Sequence, residues 1–238
     1  MTARVVLDRV TAGYGALQVI HAIEISVDPG EVVCLLGPNG AGKTTTLLAA
    51  VGQVETTSGR ITVAGREVSH RHPHRTTSLG VAFVPDNRGL FLQLTVAENL
   101  RLVYPWRRSL DDVLAVFPAL GPLAKRKAGL LSGGEQQMVA LAKALLFGPE
   151  VLLIDEMSLG LAPLIAERLL EMVRGMATAE GTAVLLVEQT VDLALAVSDR
   201  AYVMRQGRIV MTGSAQAIAH DRDALETQYL GQATATVG

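Results

Sequence analysis

Five short apolar runs, at 32–36, 81–84, 151–154, 183–187 and 201–204, recur along the chain with hardly a polar residue inside them. Runs of this length, separated by longer mixed stretches, suit strands buried on both faces of a parallel sheet, where neither face meets water. Three earlier runs, 5–7, 23–27 and 61–63, alternate instead, the last after a Ser58-Gly59 turn. Alternation predicts one wet face, hence a small, partly antiparallel sheet near the N-terminus. Between Pro85 and Pro149 the spacing turns helical and no clear strand-like run remains. There Thr95-Val96-Ala97-Glu98 reads as a capping box, the threonine hydroxyl accepting a backbone N–H and the glutamate reaching back to the first amide. Tyr104-Pro105-Trp106 breaks the pattern, and a second helix is expected over 110–117. The expected fold class is α/β: one domain whose mostly parallel core uses 1–85 and 150–238, with an N-terminal antiparallel β subdomain and an inserted helical subdomain at 86–149.

Composition narrows the picture without naming a function. The chain has 238 residues, 49% of them hydrophobic, ample for a sizeable core, and a net charge of −2, so no basic field points to nucleic acid as a partner. Cys34 is the only cysteine and lies inside an apolar run, which reads as a buried strand residue in a reducing compartment. Mean hydropathy is +0.33, yet no apolar stretch approaches the roughly 18 residues needed to span a bilayer. The first ten residues carry no long apolar segment of a secretory signal.

The chemistry begins after the 32–36 run. Gly37-Pro38-Asn39-Gly40-Ala41-Gly42-Lys43-Thr44, followed by Thr45, matches G-x-x-x-x-G-K-[ST] and leads into a helical run at 45–51. In that setting Gly37, Asn39, Gly40, Ala41 and Gly42 turn the backbone onto phosphates, and the helix N-terminus adds partial positive charge. Lys43 reaches the β/γ oxygens and Thr44 offers a hydroxyl to Mg²⁺, so ATP and Mg²⁺ are expected, with Thr45 beside them. The run at 151–154 ends in Asp155-Glu156. Asp155 is placed to hold Mg²⁺ and Glu156 to orient and deprotonate the attacking water. No N-K-x-D guanine motif accompanies them, which disfavours a GTPase.

Leu131-Ser132-Gly133-Gly134-Glu135-Gln136-Gln137 is a second capping box, and one reading is simply a well-capped core helix with Met138, Leu141, Ala142 and Leu145 on one face. Paired glycines in a first turn cost helix stability, about 0.8–1.0 kcal/mol each in a helix interior. That cost makes sense if the N–H groups must approach an anion.

With these peptides in this order, the chain resembles the ATP-binding cassette (ABC) transporter ATPases over essentially its whole length, with Glu135 replacing the last residue of their LSGGQ signature. The resemblance implies that two such domains face head to tail, each nucleotide held between one P-loop and the Ser132, Gly133, Gly134 and Glu135 of the other subunit. It implies that Tyr14 stacks on adenine, although a Gly-Tyr-Gly turn also reads as a surface tyrosine. It further implies integral membrane permease subunits as partners, a second ABC ATPase in a hetero- or homodimer, a solute-binding protein acting indirectly, and a cytoplasmic place on the inner face of the membrane.

Three departures locate a branch. Met157-Ser158-Leu159-Gly160-Leu161-Ala162-Pro163 stands where many relatives carry Pro-Thr-Ser-Ala-Leu-Asp, with Ala162 at the usual aspartate, and Gln189 replaces the switch histidine. Together with Val187-Glu188-Gln189 and Tyr229-Leu230-Gly231, these strings resemble the ATPase subunits of branched-chain amino-acid importers, a group that includes urea and short-amide importers. Gln189 can hydrogen-bond phosphate or water but cannot change charge near neutral pH, so the acid limb of the rate profile is expected to report Glu156 alone. Asp86 occupies the position of a longer Gln or Glu in relatives; it is expected to keep a role beside the metal, with Asn87 as a substitute. His70, His72 and His74 read as a solvated loop, and Arg107-Arg108 and Lys125-Arg126-Lys127 as solvated faces. The alternatives are an exporter ATPase and a soluble ABC ATPase of translation, repair or cofactor assembly. A single P-loop and signature, and no heptad run, argue against the soluble types.

Overall fold

The computed structural model describes residues 2–72, 76, 78–103 and 106–230. Pro73, His74, Arg75, Tyr104, Pro105, Gly231 and the tail lie outside the described residues, so the readings placed on them are carried by sequence alone.

Two sheets stack on one core. The first is antiparallel, in the order β2 (Leu17–Val27), β1 (Val5–Tyr14), β4 (Glu55–Val63), β5 (Arg66–Glu67). The second runs β10 (Arg208–Ser214), β9 (Arg200–Arg205), β3 (Val32–Leu36), β8 (Ala183–Val187), β7 (Val151–Asp155), β6 (Val81–Val84), parallel throughout except for β10 against β9. The five unbroken apolar runs are thus the five parallel strands. β3 shows why they needed no polar face: Val33 and Leu35 face the apolar layer between the sheets, while Val32, Cys34 and Leu36 enter the helical layers beyond. Burial pushes the Cys34 thiol up to about 12, which leaves it an inert core residue.

β1 and β2 are far longer than the alternating runs suggested, at 10 and 11 residues. Their period is interrupted by register shifts, with Arg9 and Ala22 at φ 46° and 49°, so the simple alternation survives only in fragments. β10 and β5 were not anticipated; both are solvated edge strands with weak apolar patterns.

The segment 86–149 is helical, as expected: α2 (Val96–Arg101), α3 (Leu110–Val116) and α4 (Gly133–Phe147), with two short 3₁₀ turns between α3 and α4. Thr95 caps α2 with Glu98 reciprocating, and Ser109 with Asp112 does the same for α3. The far half of α4 is buried in the same apolar cluster as Leu152 and Ile154 of β7 and Leu169 of α5 (Pro163–Glu180), so the insertion shares the core of the sheet. One expectation is corrected in part: Arg107 stays exposed as expected, 5.8 Å over the Phe147 ring of α4, but Arg108 is half-buried and pairs with Glu180 of α5 at 2.7 Å. Among the described residues, no helix is long and apolar enough to cross a membrane.

Candidate active site

Register gathers the candidate residues. Leu35 pairs with Val187, Val187 with Asp155, and Ile154 with Val84. The carboxyl ends of β3, β8, β7 and β6 therefore lie on one line, and residues 37, 86, 155, 156 and 189 follow it by at most two positions. This edge of an open α/β sheet, where the chain order reverses around β3, is where such folds bind ligands.

β3 runs into loop 37–42 and then α1 (Lys43–Ala50). Gly37 is fixed by crowding, since a Cβ there would lie 2.3 Å from the Met204 carbonyl oxygen. Gly42 caps α1 at φ 109°, and a Cβ would sit 2.9 Å from Ile20 Cγ2. Pressed between β9 and β2, the loop has one conformation available. Lys43 is buried; its Nζ donates to the Gly37 and Pro38 carbonyls at 2.8 and 3.2 Å and lies 3.7 Å from Glu156 Oε1. Asn39, Gly40, Gly42, Lys43, Thr44, Thr45, Val19 and Glu156 line a hollow of about 140 Å³. Ala41 is buried behind it, its N–H bonded to the Pro38 carbonyl at 3.1 Å. Tyr14 ends β1 at the exposed tip of the hairpin whose other strand brings Val19 to the hollow.

Asp155 is the buried last residue of β7. Burial pushes its carboxyl up to about 6, the charges of Glu156 and Asp86 add to this, and a hydrogen bond from Thr44 and the charge of Lys43 oppose it. Its Oδ1 has no protein partner. Glu156 follows at φ 48°, a left-handed conformation costing of order 1–3 kcal/mol and typical of functional positions. Its amide donates to the Val187 carbonyl at 2.9 Å, and its Oε2 accepts from Gln189 Nε2 at 2.7 Å. The two residues assigned to hydrolysis are therefore in contact, although 33 positions apart.

Asp86 sits exposed in the turn after β6, its Oδ1 accepting from the Asn87 amide at 2.7 Å, close enough for its charge to raise Asp155. Asn87 is exposed beside it, its side-chain oxygen accepting the Gly89 N–H at 3.0 Å.

Two residues escaped sequence reasoning. Glu188 is buried beside Gln189, accepting from the Ser158 N–H at 2.9 Å and the Ser158 hydroxyl at 2.5 Å. It ties the 156–162 chain to the end of β8, and burial raises its carboxyl. A carboxylate closing an apolar run was the available signal. The other, Arg88, donates from Nη1 to Gln136 Oε1 at 2.7 Å, across 48 positions that no local pattern connects.

Ser132 caps α4 as expected: Glu135 Oε2 accepts from the Ser132 amide and hydroxyl at 2.7 and 2.9 Å, and Ser132 Oγ accepts the Glu135 N–H at 3.3 Å. These bonds hold the Glu135 carboxyl below its usual range. The glycines also have a packing reason: a Cβ on Gly134 would lie 2.9 Å from Ile165 Cγ2, and one on Gly133 3.3 Å from Arg88 Nη2. None of the four signature residues lines the P-loop hollow.

The Thr44 hydroxyl and the orphaned Asp155 oxygen form an all-oxygen donor set suited to Mg²⁺, a small hard ion held largely by phosphate and water. Among the described residues there is no group of three or more His, Cys, Asp or Glu that could cage a metal alone.

Such a loop, strand-end acidic pair and sheet define a P-loop nucleoside triphosphatase. The family model described as "ABC transporter" matches residues 20–158. The chain is 40% identical to the high-affinity branched-chain amino acid transport ATP-binding protein BraG of Pseudomonas aeruginosa, over 94% of this chain and 98% of that one. It is 30% identical to the lipopolysaccharide export system ATP-binding protein LptB of Haemophilus influenzae, over 94% and 96%. A solved ATP-binding subunit of an ABC transporter superposes with TM-score 0.82 at 29% identity, covering 96% of this chain and 98% of that one. The chain belongs to the ABC transporter family: it is an ATP-binding, ATP-hydrolysing subunit of a transporter.

Proposed function

We propose that this subunit drives import of branched-chain amino acids or related small polar solutes, from the inner face of a cell membrane, with two permease subunits, a second ABC ATPase and a solute-binding protein. The observation that carries the composite-site part of this reading is the divided site. A hollow of about 140 Å³ is small against the roughly 300–1,000 Å³ of enclosing ligand pockets, and the signature peptide lies outside it. A neighbouring subunit's signature completes it.

In the completed site Lys43 holds the β/γ oxygens, the loop amides cradle the phosphates, and Tyr14 stacks on adenine. Thr44 and Asp155 hold Mg²⁺, with Asp86 alongside, and the ion supplies charge neutralisation on the phosphate oxygens. Glu156 takes the proton of the attacking water through one oxygen while Gln189 fixes the other. Ser132, Gly133, Gly134 and Glu135 meet the neighbour's triphosphate. Segment 86–149 acts as a helical subdomain seated through α4 on the core of 1–85 and 150–238. The cleft of about 470 Å³ between them, with Pro85, Gly89, Phe91 and Leu102 at its rim, receives the permease.

The similarity to BraG supports branched-chain amino acids as the solute, and the Ser158–Pro163 and Val187–Gln189 strings support import; the similarity to LptB supports the second reading, an exporter. Proteoliposomes holding the complete transporter separate them. ATP-dependent accumulation of leucine, stimulated by binding protein on the outer side, supports import. ATP turnover indifferent to that protein, with solute leaving the ATP-exposed side, overturns it.

A further inference from the structure

Three consecutive residues at the end of β8 hold the turn that carries the candidate base. The Val187 carbonyl accepts the Glu156 N–H at 2.9 Å, and Gln189 Nε2 donates to Glu156 Oε2 at 2.7 Å. Between them Glu188, only 1% exposed, directs both carboxylate oxygens at one residue. Oε1 accepts the Ser158 N–H at 2.9 Å and Oε2 the Ser158 hydroxyl at 2.5 Å. The turn so held runs from Glu156, at φ 48°, through the buried Met157 to Ser158, and closes where the Glu156 carbonyl accepts the Leu159 N–H at 3.4 Å. A residue with a side chain keeps a left-handed backbone only where its surroundings over-determine it. Glu188 supplies part of that constraint while lining no part of the P-loop hollow itself. Local stability does not explain a carboxylate here. Burial and the charge of Glu156 disfavour its ionised form, and its donors, the Ser158 groups and the Gln189 N–H, are neutral. A glutamine of the same shape is easier to bury but offers one acceptor oxygen. Only the acid accepts from the Ser158 N–H and hydroxyl together.

We propose that Glu188 is a positioning residue for hydrolysis: by clamping Ser158 through both oxygens it holds the left-handed backbone of Glu156, and with it the aim of the Glu156 carboxylate at the attacking water. Val187 and Gln189 locate Glu156 directly; Glu188 fixes the chain just beyond it. Without the clamp the turn relaxes toward an unstrained backbone and swings the carboxylate away from the hollow it lines. The inference rests on the reading of Glu156 as the base.

Three measurements test it: turnover of the complete transporter at saturating Mg–ATP, and the Mg–ATP affinity and urea stability of the isolated subunit. Glu188→Ala is expected to lower kcat by about 10- to 100-fold, the scale of a misplaced catalytic group, with affinity unchanged. Added to Glu156→Gln it should lower turnover no further, because a residue acting through Glu156 then has nothing to position; a merely structural loss would add. Glu188→Gln keeps one acceptor and guards against a folding defect. It should be at least as resistant to urea as the wild type, yet turn over about three- to tenfold more slowly, the worth of one hydrogen bond. Ser158→Ala, which removes the hydroxyl from the other end, should show a similar loss. Wild-type kcat in Glu188→Ala, or in Glu188→Gln should the alanine variant not fold, overturns the proposal. So does a further loss in the double variant, or a fall in Mg–ATP affinity that accounts for the lost turnover. Glu156→Gln alone separates the two layers. Near-normal turnover there removes the base itself; an inactive Glu156→Gln beside a fully active Glu188→Ala removes only the clamp.

Discussion

The P-loop edge and the signature turn are built on opposite principles. At the P-loop edge a lysine and an aspartate are buried, Asp155 Oδ1 is unpaired, and Glu156 is held in a left-handed conformation. At the signature turn Ser132 and Glu135 satisfy each other's polar groups at the surface. The first region holds a buried carboxylate that burial disfavours in its charged form. The second satisfies its polar side chains internally. A strained half and a finished half suit a site assembled from two subunits.

Substitutions should therefore behave differently at the two places. The largest effect is expected from Glu156→Gln, which should lower kcat by roughly 10²–10⁴-fold while leaving ATP affinity intact, as steady-state phosphate release and equilibrium titration would show. Near-normal turnover removes Glu156 as the base. Lys43→Ala should weaken ATP binding to the isolated subunit by about 10- to 100-fold, the worth of a charge-assisted hydrogen bond of roughly 1.5–3 kcal/mol.

The pH response follows from Asp155. Its carboxyl, pushed up to about 6 by burial, must be ionised to hold Mg²⁺, so protons compete with the metal as pH falls through that value. The Mg²⁺ concentration needed for half-maximal turnover should rise below about pH 6. A Mg²⁺ requirement constant down to pH 5 contradicts the assignment.

The smallest effects are on stability and have opposite signs. The folded value of Asp155 lies above its unfolded one, so this group costs stability above about pH 6 and ceases to cost it below 3.8. Asp155→Asn should therefore stabilise the subunit at neutral pH by about 1–2 kcal/mol, less than the full linkage value because the asparagine amide is itself a buried polar group short of partners. Ser132→Ala removes a cap and should destabilise by about 1 kcal/mol. Urea denaturation at pH 7 reads both, and the same sign for both would erase the contrast.

What could be read from the chain alone follows the same division. The five parallel strands were legible because burial on both faces leaves no polar residue in them, and the P-loop and Ser132 box because their chemistry is local in sequence. The long strands β1 and β2 were not, since the shifts at Arg9 and Ala22 destroy the period of two. Asp155, Glu156 and Gln189 could be nominated singly. Their contact, the Glu188–Ser158 tie and the Arg88–Gln136 bond depend on register between distant strands and helices, which no window along the chain contains. Arg108 misled for a related reason, since its partner Glu180 on α5 is 72 positions away in the chain, whereas Arg107 is exposed as its sequence suggested.

Ser132→Asp tests the divided site most directly. Aspartate can still accept the Glu135 N–H, though it gives up the hydroxyl's donation to Glu135 Oε2, and it sets a negative charge where the divided-site reading puts the neighbour's γ-phosphate. Turnover of the complete transporter should collapse while the isolated subunit binds Mg–ATP with unchanged affinity. Turnover at the wild-type rate, or a loss of affinity in the isolated subunit, would contradict a signature peptide that serves the other subunit's nucleotide.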